Sequence, residues 1–164
     1  MPGVENVTLK NAGVSQTAFV GAAASSNLKW IHLPGNEVSS LEGLPIIESV
    51  VGLDLTGNPI TDEGLARVAA VFPNLKHLNL RDTKITDNLV QQVAKVRWLT
   101  TLDLVGTKVT GKGLVALEVC PILNGIYVSK SQMTDEVRKH YDSKTDRRMQ
   151  LWLPGDDPPA IKRE

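Results

Sequence analysis

The chain has 164 residues, with 18 Lys plus Arg against 18 Asp plus Glu, a formal net charge of +0 at pH 7. That balance argues against a nucleic acid or a membrane surface as the general partner. A single cysteine, Cys120, excludes an intramolecular disulfide and a zinc site built from cysteines.

The length suits one domain. Hydrophobic residues make up 41% but aromatic ones only 4%, which suits a core of small, repeated aliphatic layers. The first twenty residues are polar and mixed, and no run of about 18 apolar residues occurs. Together with the lone cysteine, this sets a default expectation of a cytoplasmic protein.

A repeat organises everything else. Val7-Thr-Leu9, Ile31-His-Leu33, Leu53-Asp-Leu55, Leu78-Asn-Leu80, Leu102-Asp-Leu104 and Ile126-Tyr-Val128 recur at steps of 24, 22, 25, 24 and 24 residues. Each follows another aliphatic by three residues, and these mark repeats starting near 4, 28, 50, 75, 99 and 123: Val4, Leu28, Val50, Leu75, Leu99 and Leu123. A small or amide residue comes next (Ala12, Asn36, Asn58, Thr83, Thr107, Ser131), then a further apolar one (Val14, Val38, Ile60, Ile85, Val109, Met133). Apolar–polar alternation over the tripeptide predicts a short strand with one buried face. The small or amide column is placed to bond backbone groups of the neighbouring turn.

In chain order, the first strand starts at Val4 and leads to a loose helical stretch over 15–25. Its alanines Ala22, Ala23 and Ala24 predict close packing. After the second strand, Pro45 breaks the stretch 39–49 or makes it 3₁₀-like. After the third, Thr61 is placed to cap a helix that buries Leu65, Val68, Ala69 and Phe72, with Asp62 and Glu63 in its first turn. Thr86-Asp87 repeats that start and buries Val90, Val93 and Val96. Thr110 opens a helix that buries Leu114, Leu117 and Cys120. Thr134-Asp135 opens a last one that runs to about Tyr141. Leu151-Trp-Leu153 predicts a final strand within 149–153, the alternative being a tail that lays two leucines over the last layer. The domain is taken as 1–153, and 154–164, with its prolines and charges, as a disordered tail.

The segments Ile60-Thr-Asp-Glu-Gly-Leu65, Ile85-Thr-Asp87, Val109-Thr-Gly-Lys-Gly-Leu114 and Met133-Thr-Asp135 make the chain resemble the leucine-rich-repeat superfamily. Within it, they resemble the subtype with Thr-Asp-x-Gly-Leu helix starts, shared by bacterial proteins and the cysteine-containing repeats of F-box proteins. The helix ends Phe72-Pro-Asn-Leu75 and Cys120-Pro-Ile-Leu123 match as well. Departures are the missing cysteine in the small-residue column and the missing F-box-like segment, which leave an adaptor role in ubiquitin ligation without support. The resemblance implies an α/β fold: a right-handed leucine-rich-repeat solenoid, about six or seven short parallel strands on the concave face and helices on the convex face. It implies protein binding in general.

Residues pointing out of the strands are free of core duty. They form a central column Thr8, His32, Asp54, Asn79, Asp103, Tyr127 and Trp152. Asn6, Trp30, Gly52, His77, Thr101 and Gly125 flank it on one side. Lys10, Pro34, Thr56, Arg81, Val105 and Ser129 flank it on the other. Trp30, Tyr127 and Trp152 are candidate interface anchors, and His32, Asp54, His77, Asn79, Arg81 and Asp103 a polar centre. Trp98 reads as packing at a turn and Cys120 as a buried small hydrophobe. Asp54 and Asp103 fall two strands apart, about 9–10 Å, too far to share one ion. No phosphate loop or hydrolase motif occurs. The expectation is therefore a non-enzymatic module that binds another protein and needs no cofactor. The alternatives are a structural subunit or fragment of a larger repeat protein, which can self-associate through an uncapped end, and a small-molecule or metal-binding protein or enzyme.

Overall fold

The structure, a computed structural model, describes residues 3–142 and 150–154. Seven three-residue strands form one sheet in chain order: β1 (Asn6–Thr8), β2 (Trp30–His32), β3 (Gly52–Asp54), β4 (His77–Asn79), β5 (Thr101–Asp103), β6 (Gly125–Tyr127) and β7 (Gln150–Trp152). Every neighbouring pair is parallel. Among the described residues, four α-helices lie on the other side of the sheet, besides short 3₁₀ turns: α1 (Val68–Val71), α2 (Val90–Val93), α3 (Gly111–Ala116) and α4 (Asp135–Asp142). Residues 155–164 of the expected tail lie outside the described residues.

The register puts Val7, Ile31, Leu53, Leu78, Leu102, Ile126 and Leu151 in one line. The five inner members are buried, while Val7 and Leu151 are half-covered because each lies in an end layer. A buried aliphatic side chain contributes about 1.5–3 kcal/mol, so stacking one layer on the next is what holds a strand of only three residues. Val4 departs from its column: it is 63% exposed, since no layer lies on its outer side among the described residues.

The first five strands each end in a turn that takes a left-handed residue. Asn11, Gly35, Gly57, Asp82 and Gly106 occupy that place in five successive repeats, with φ between 50° and 73°. Glycine, Asn and Asp enter this region most readily. The polar column follows directly. Asn36 Oδ1 accepts from the N–H groups of Ala12 and Val14, and its Nδ2 donates to the carbonyl of Leu9. Asn58 does the same one repeat on, accepting from Val38 N and donating to Leu33 O. Thr83 and Thr107 donate to Leu80 O and Leu104 O. In the sixth repeat the expected Ser131 is exposed, and Gln132 is the buried partner instead. Its Nε2 donates to Val109 O, and its Oε1 accepts from Ser129 N. Lys130 does not enter the left-handed region, so this turn carries its side-chain amide one residue later.

The return segments are shorter than the sequence suggests. From Thr61 the chain makes turns until α1 begins at Val68, and the buried set is Leu65, Val68, Val71 and Phe72, with Ala69 only half-covered. Turns advance the chain at a different pitch from an α-helix, which rotates Val71 inward. A 3₁₀ turn at Asp87–Leu89 likewise buries Leu89 where Val90 was expected. Residues 39–49 contain no helix, and 3₁₀ turns at Gln16–Phe19 and Ala22–Ala24 replace the first. Only Ala22 of the three alanines faces the core.

Thr86 and Thr110 cap as expected, whereas Thr61 closes a turn and α1 begins at Val68 with Arg67 at its N-cap. Thr61, Thr86, Thr110 and Thr134 each accept a hydrogen bond from a backbone N–H two or three residues on. The following Asp does more than offset a helix dipole. Asp62 accepts from both the N–H and the hydroxyl of Thr86, and Asp87 from both of Thr110. These pairs tie consecutive repeats together on the helical side.

Candidate functional site: the open face of the sheet

The face of the sheet away from the core carries the side chains that the fold does not consume. The parallel register sets Asn6, Trp30, Gly52, His77, Thr101, Gly125 and Gln150 in one row and Thr8, His32, Asp54, Asn79, Asp103, Tyr127 and Trp152 in the next. The second row is the expected central column. Arg81 reaches it from beyond the end of β4.

Aromatic groups occupy two separated places. Near β2, the Trp30 ring packs almost parallel to His32 at 5.6 Å between centroids and to His77 at 5.2 Å. His77 lies two strands away, and the intervening residue is Gly52. A methyl group at Gly52 would collide with Cε3, Cζ3 and Cδ2 of Trp30, so the indole lies on a floor that only glycine provides. Near β7, Tyr127 and Trp152 are 6.4 Å apart, and the Trp152 indole lies within 3.6 Å of where a Gly125 side chain would begin. Both glycines are buried although they point toward the open face, because tryptophans cover them.

Between these aromatic groups lies the polar centre. Asp54 Oδ1 accepts from the N–H and hydroxyl of Thr56, and its Oδ2 is 3.7 Å from His32 Nδ1. Asn79 Oδ1 accepts from Arg81 N. Arg81 turns toward β5 and donates from Nε and one terminal nitrogen to Asp103 Oδ2, at 3.3 and 3.1 Å. Asp103 Oδ1 accepts from Val105 N. The nine candidate residues thus sort into two aromatic groups, one ion pair and the Asp54–Asn79 step between them. The Arg81–Asp103 pair was not legible as a pair, because its members sit in different columns and are 22 residues apart.

The electrostatics follow from partial burial. Burial holds His77 below its ordinary value, with Lys76 adding to the effect, so the ring favours its neutral form. Its Nδ1 lies 2.6 Å from Thr101 Oγ1. Burial pushes the Asp103 carboxyl up against the opposing pull of Val105 N and Arg81, and the charge of Asp54 pushes the same way as burial. Burial, then Asp103, raises Tyr127. Among the described residues, no group of three or more His, Cys, Asp and Glu gathers in a way that could hold a metal ion.

Three features lie elsewhere. Trp98, expected to pack, is 53% exposed on the edge where strands begin, beside Asn74 and Lys76. Its column is Ser49 and Asn74 in earlier repeats, a surface position that has no core to fill. Cys120 is buried, as expected, and burial raises its thiol to about 11. At the β1 end, Val4, Val7, Leu9, Ala22, Leu28 and Ile31 are among the residues that line an apolar recess of about 380 Å³.

A family profile described as a leucine-rich repeat matches residues 49–69, 73–88 and 97–117. Each stretch belongs to a repeat that surrounds β3, β4 or β5. A chain of the Drosophila melanogaster SNF/U2A′ complex is similar in structure, with a TM-score of 0.63 and 18% identity over 87% of this chain and 84% of that one. A chain of the octameric complex of Latrophilin 3, Unc5D and FLRT2 (LRR) gives a TM-score of 0.51 and 15% identity over 93% of this chain, which spans 56% of that chain. Sheet, register and these likenesses together establish the fold as a leucine-rich-repeat solenoid.

Proposed function

We propose that this chain is a non-enzymatic protein-binding module that holds its partner on the open face of the sheet. Strands are narrower than the helices and turns behind them, which makes this the concave side of a solenoid. One observation carries the reading. Two aromatic groups, one laid on the glycine floor of Gly52 and the other beside Gly125, bracket a polar row of Asp54, Asn79, Arg81 and Asp103. None of these side chains belongs to the buried core. Rigid aromatic anchors beside polar groups are the usual make-up of a binding hot spot. That the two similar chains come from protein complexes agrees with this reading. The finer likeness to the bacterial and F-box-type repeats rests on sequence alone, on the Thr-Asp helix starts and the helix ends Phe72-Pro-Asn-Leu75 and Cys120-Pro-Ile-Leu123.

The test is capture from lysate by the intact protein, compared with a Tyr127→Ala, His77→Ala, Arg81→Ala variant whose fold is checked by circular dichroism. The reading expects a protein retained by the wild type and lost by the variant. Equal retention by both would move the function to the helical side or an end.

A second reading is favoured by the apolar recess at β1, lined in part by the exposed Val4 and Leu9. An open strand edge next to exposed aliphatic groups invites association between copies. Sedimentation of the wild type against Val7→Lys tests it: a dimer that the substitution dissociates is expected, and a wild-type monomer at high concentration would dismiss it.

A further inference from the structure

The two carboxylates of the polar row are not equivalent. Asp103 has Arg81 on it at 3.1 Å. Asp54 has no Lys or Arg partner among the described residues, only the His32 ring, whose Nδ1 stands 3.7 Å away. Arg81, beyond the end of β4, spends its Nε and one terminal nitrogen on Asp103 of β5. The groups that face Asp54 from adjoining elements are His32 on β2, Thr56 beyond β3, and Asn79 and Arg81 of the β4 repeat, with Asp103 on β5. None of them is a Lys or Arg within ion-pair distance of Asp54, and His32 supplies opposite charge only when it is protonated. Asp54 Oδ1 is occupied by Thr56, whereas Oδ2 has no hydrogen-bond donor among the described residues. The Asn79 amide hydrogens are likewise without a partner there, because its oxygen is the atom that faces Arg81 N.

Two residues before Asp54 on the same face of β3 is Gly52, with the Trp30 indole on top of it and His77 beyond. A carboxylate with a vacant oxygen therefore stands next to a set of near-parallel rings. A guanidinium suits both: its fork pairs with a carboxylate, and its plane lies along an aromatic ring. We infer that Asp54 and the Trp30 rings form a receptor for an arginine side chain, carried by a partner segment that lies along the open face of the sheet. This inference rests on the binding role proposed for that face. The negative field of the site is visible in Asp103, whose carboxyl is raised in part by Asp54. A guanidinium on Asp54 would screen that repulsion.

The experiment uses the whole chain labelled with nitrogen-15, and two probes: N-acetyl-arginine methylamide and its neutral isostere N-acetyl-citrulline methylamide. The Trp30 indole N–H and the amides of residues 52–56 are followed by NMR. Saturable shifts are expected with the arginine probe, and binding at least about tenfold weaker with citrulline. Asp54→Asn keeps an acceptor for Thr56 and so retains the fold, yet it should weaken arginine binding about tenfold. Equal shifts with both probes, an unaffected Asp54→Asn, or no shift up to the solubility of the probe would each overturn the arginine receptor. A partner captured through Tyr127, His77 and Arg81 but indifferent to Asp54→Asn would leave the open face as the binding surface and remove only this inference.

Discussion

Asp62, buried under the following repeat, receives both the backbone N–H of Thr86 at 3.1 Å and its hydroxyl at 2.5 Å. Each member of this relationship has two duties. Thr86 caps its own turn by accepting from Asn88 N, while Asp62 fixes that threonine to the repeat before it. Asp87 and Thr110 repeat the arrangement in a more exposed setting. Gly111 stands where the next Asp would, and a side chain there would meet Val137. The ladder of Asp–Thr ties therefore ends where α3 packs against α4.

Removing a buried charged acceptor with two donors costs about 2–3 kcal/mol. Asp62→Ala should lower the unfolding free energy by that amount in urea titration. Asp87→Ala should cost less, since water reaches its partner. Equal losses at the two positions would mean that burial does not set the strength of the tie.

The pH dependence of stability has two opposed parts. His77 has a folded value below the ordinary 6.5, so it contributes stability that is present above that value and lost as pH falls through the folded value. Asp103 has a folded value above the ordinary 3.8; its contribution is complete below 3.8 and lost as pH rises through the folded value. His77→Gln should therefore flatten the fall in stability on the acid side of neutrality. Asp103→Asn keeps the acceptor for Val105 N and should leave stability at pH 7 within about 1 kcal/mol of the wild type, despite breaking the pair with a partly exposed Arg81. Chemical denaturation at a series of pH values measures both.

Gly52→Ala tests the floor beneath Trp30. The added methyl must displace the indole from its place between His32 and His77. Because the ring lies on the open face, stability should change by no more than about 1 kcal/mol, while near-ultraviolet circular dichroism and tryptophan fluorescence change clearly. An unchanged spectrum would contradict the arrangement of the rings.

Cys120 should be chemically silent in the folded protein. Its thiol is buried and raised to about 11, so almost no thiolate exists at pH 8. Ellman's reagent should react only after urea is added, and rapid reaction of the native protein would contradict the burial.

The repeat made the strands and the central column readable, because a column of alternating residues is dictated locally by period and burial. Trp152 joined that column for the same reason. What stayed hidden depends on contacts between repeats or on small changes in pitch. Gln132 replaced Ser131 because one turn lacks a left-handed residue. Leu89 and Val71 turned inward because 3₁₀ and turn segments do not follow the spacing of an α-helix. The site was legible as a list of outward residues, but not as an arrangement. That Arg81 would choose Asp103 and leave Asp54 is decided by side-chain direction across strands, and Gly52 and Gly125 acquired meaning only once tryptophans lay on them. The exposure of Trp98 was missed because a tryptophan beside a buried leucine resembles packing until the outer surface of the repeat is seen.

The most direct test of the binding role blocks one face at a time. Asn79→Cys places a thiol in the middle of the open sheet face, and Gln91→Cys places one on the exposed side of α2. The native Cys120 is buried and does not compete for reagent. Each variant is coupled to a maleimide polyethylene glycol and its affinity for the captured partner is measured. The account predicts that the chain attached at residue 79 abolishes binding and the chain at residue 91 leaves it intact. Full binding with the polymer at 79, or loss only with the polymer at 91, would contradict it.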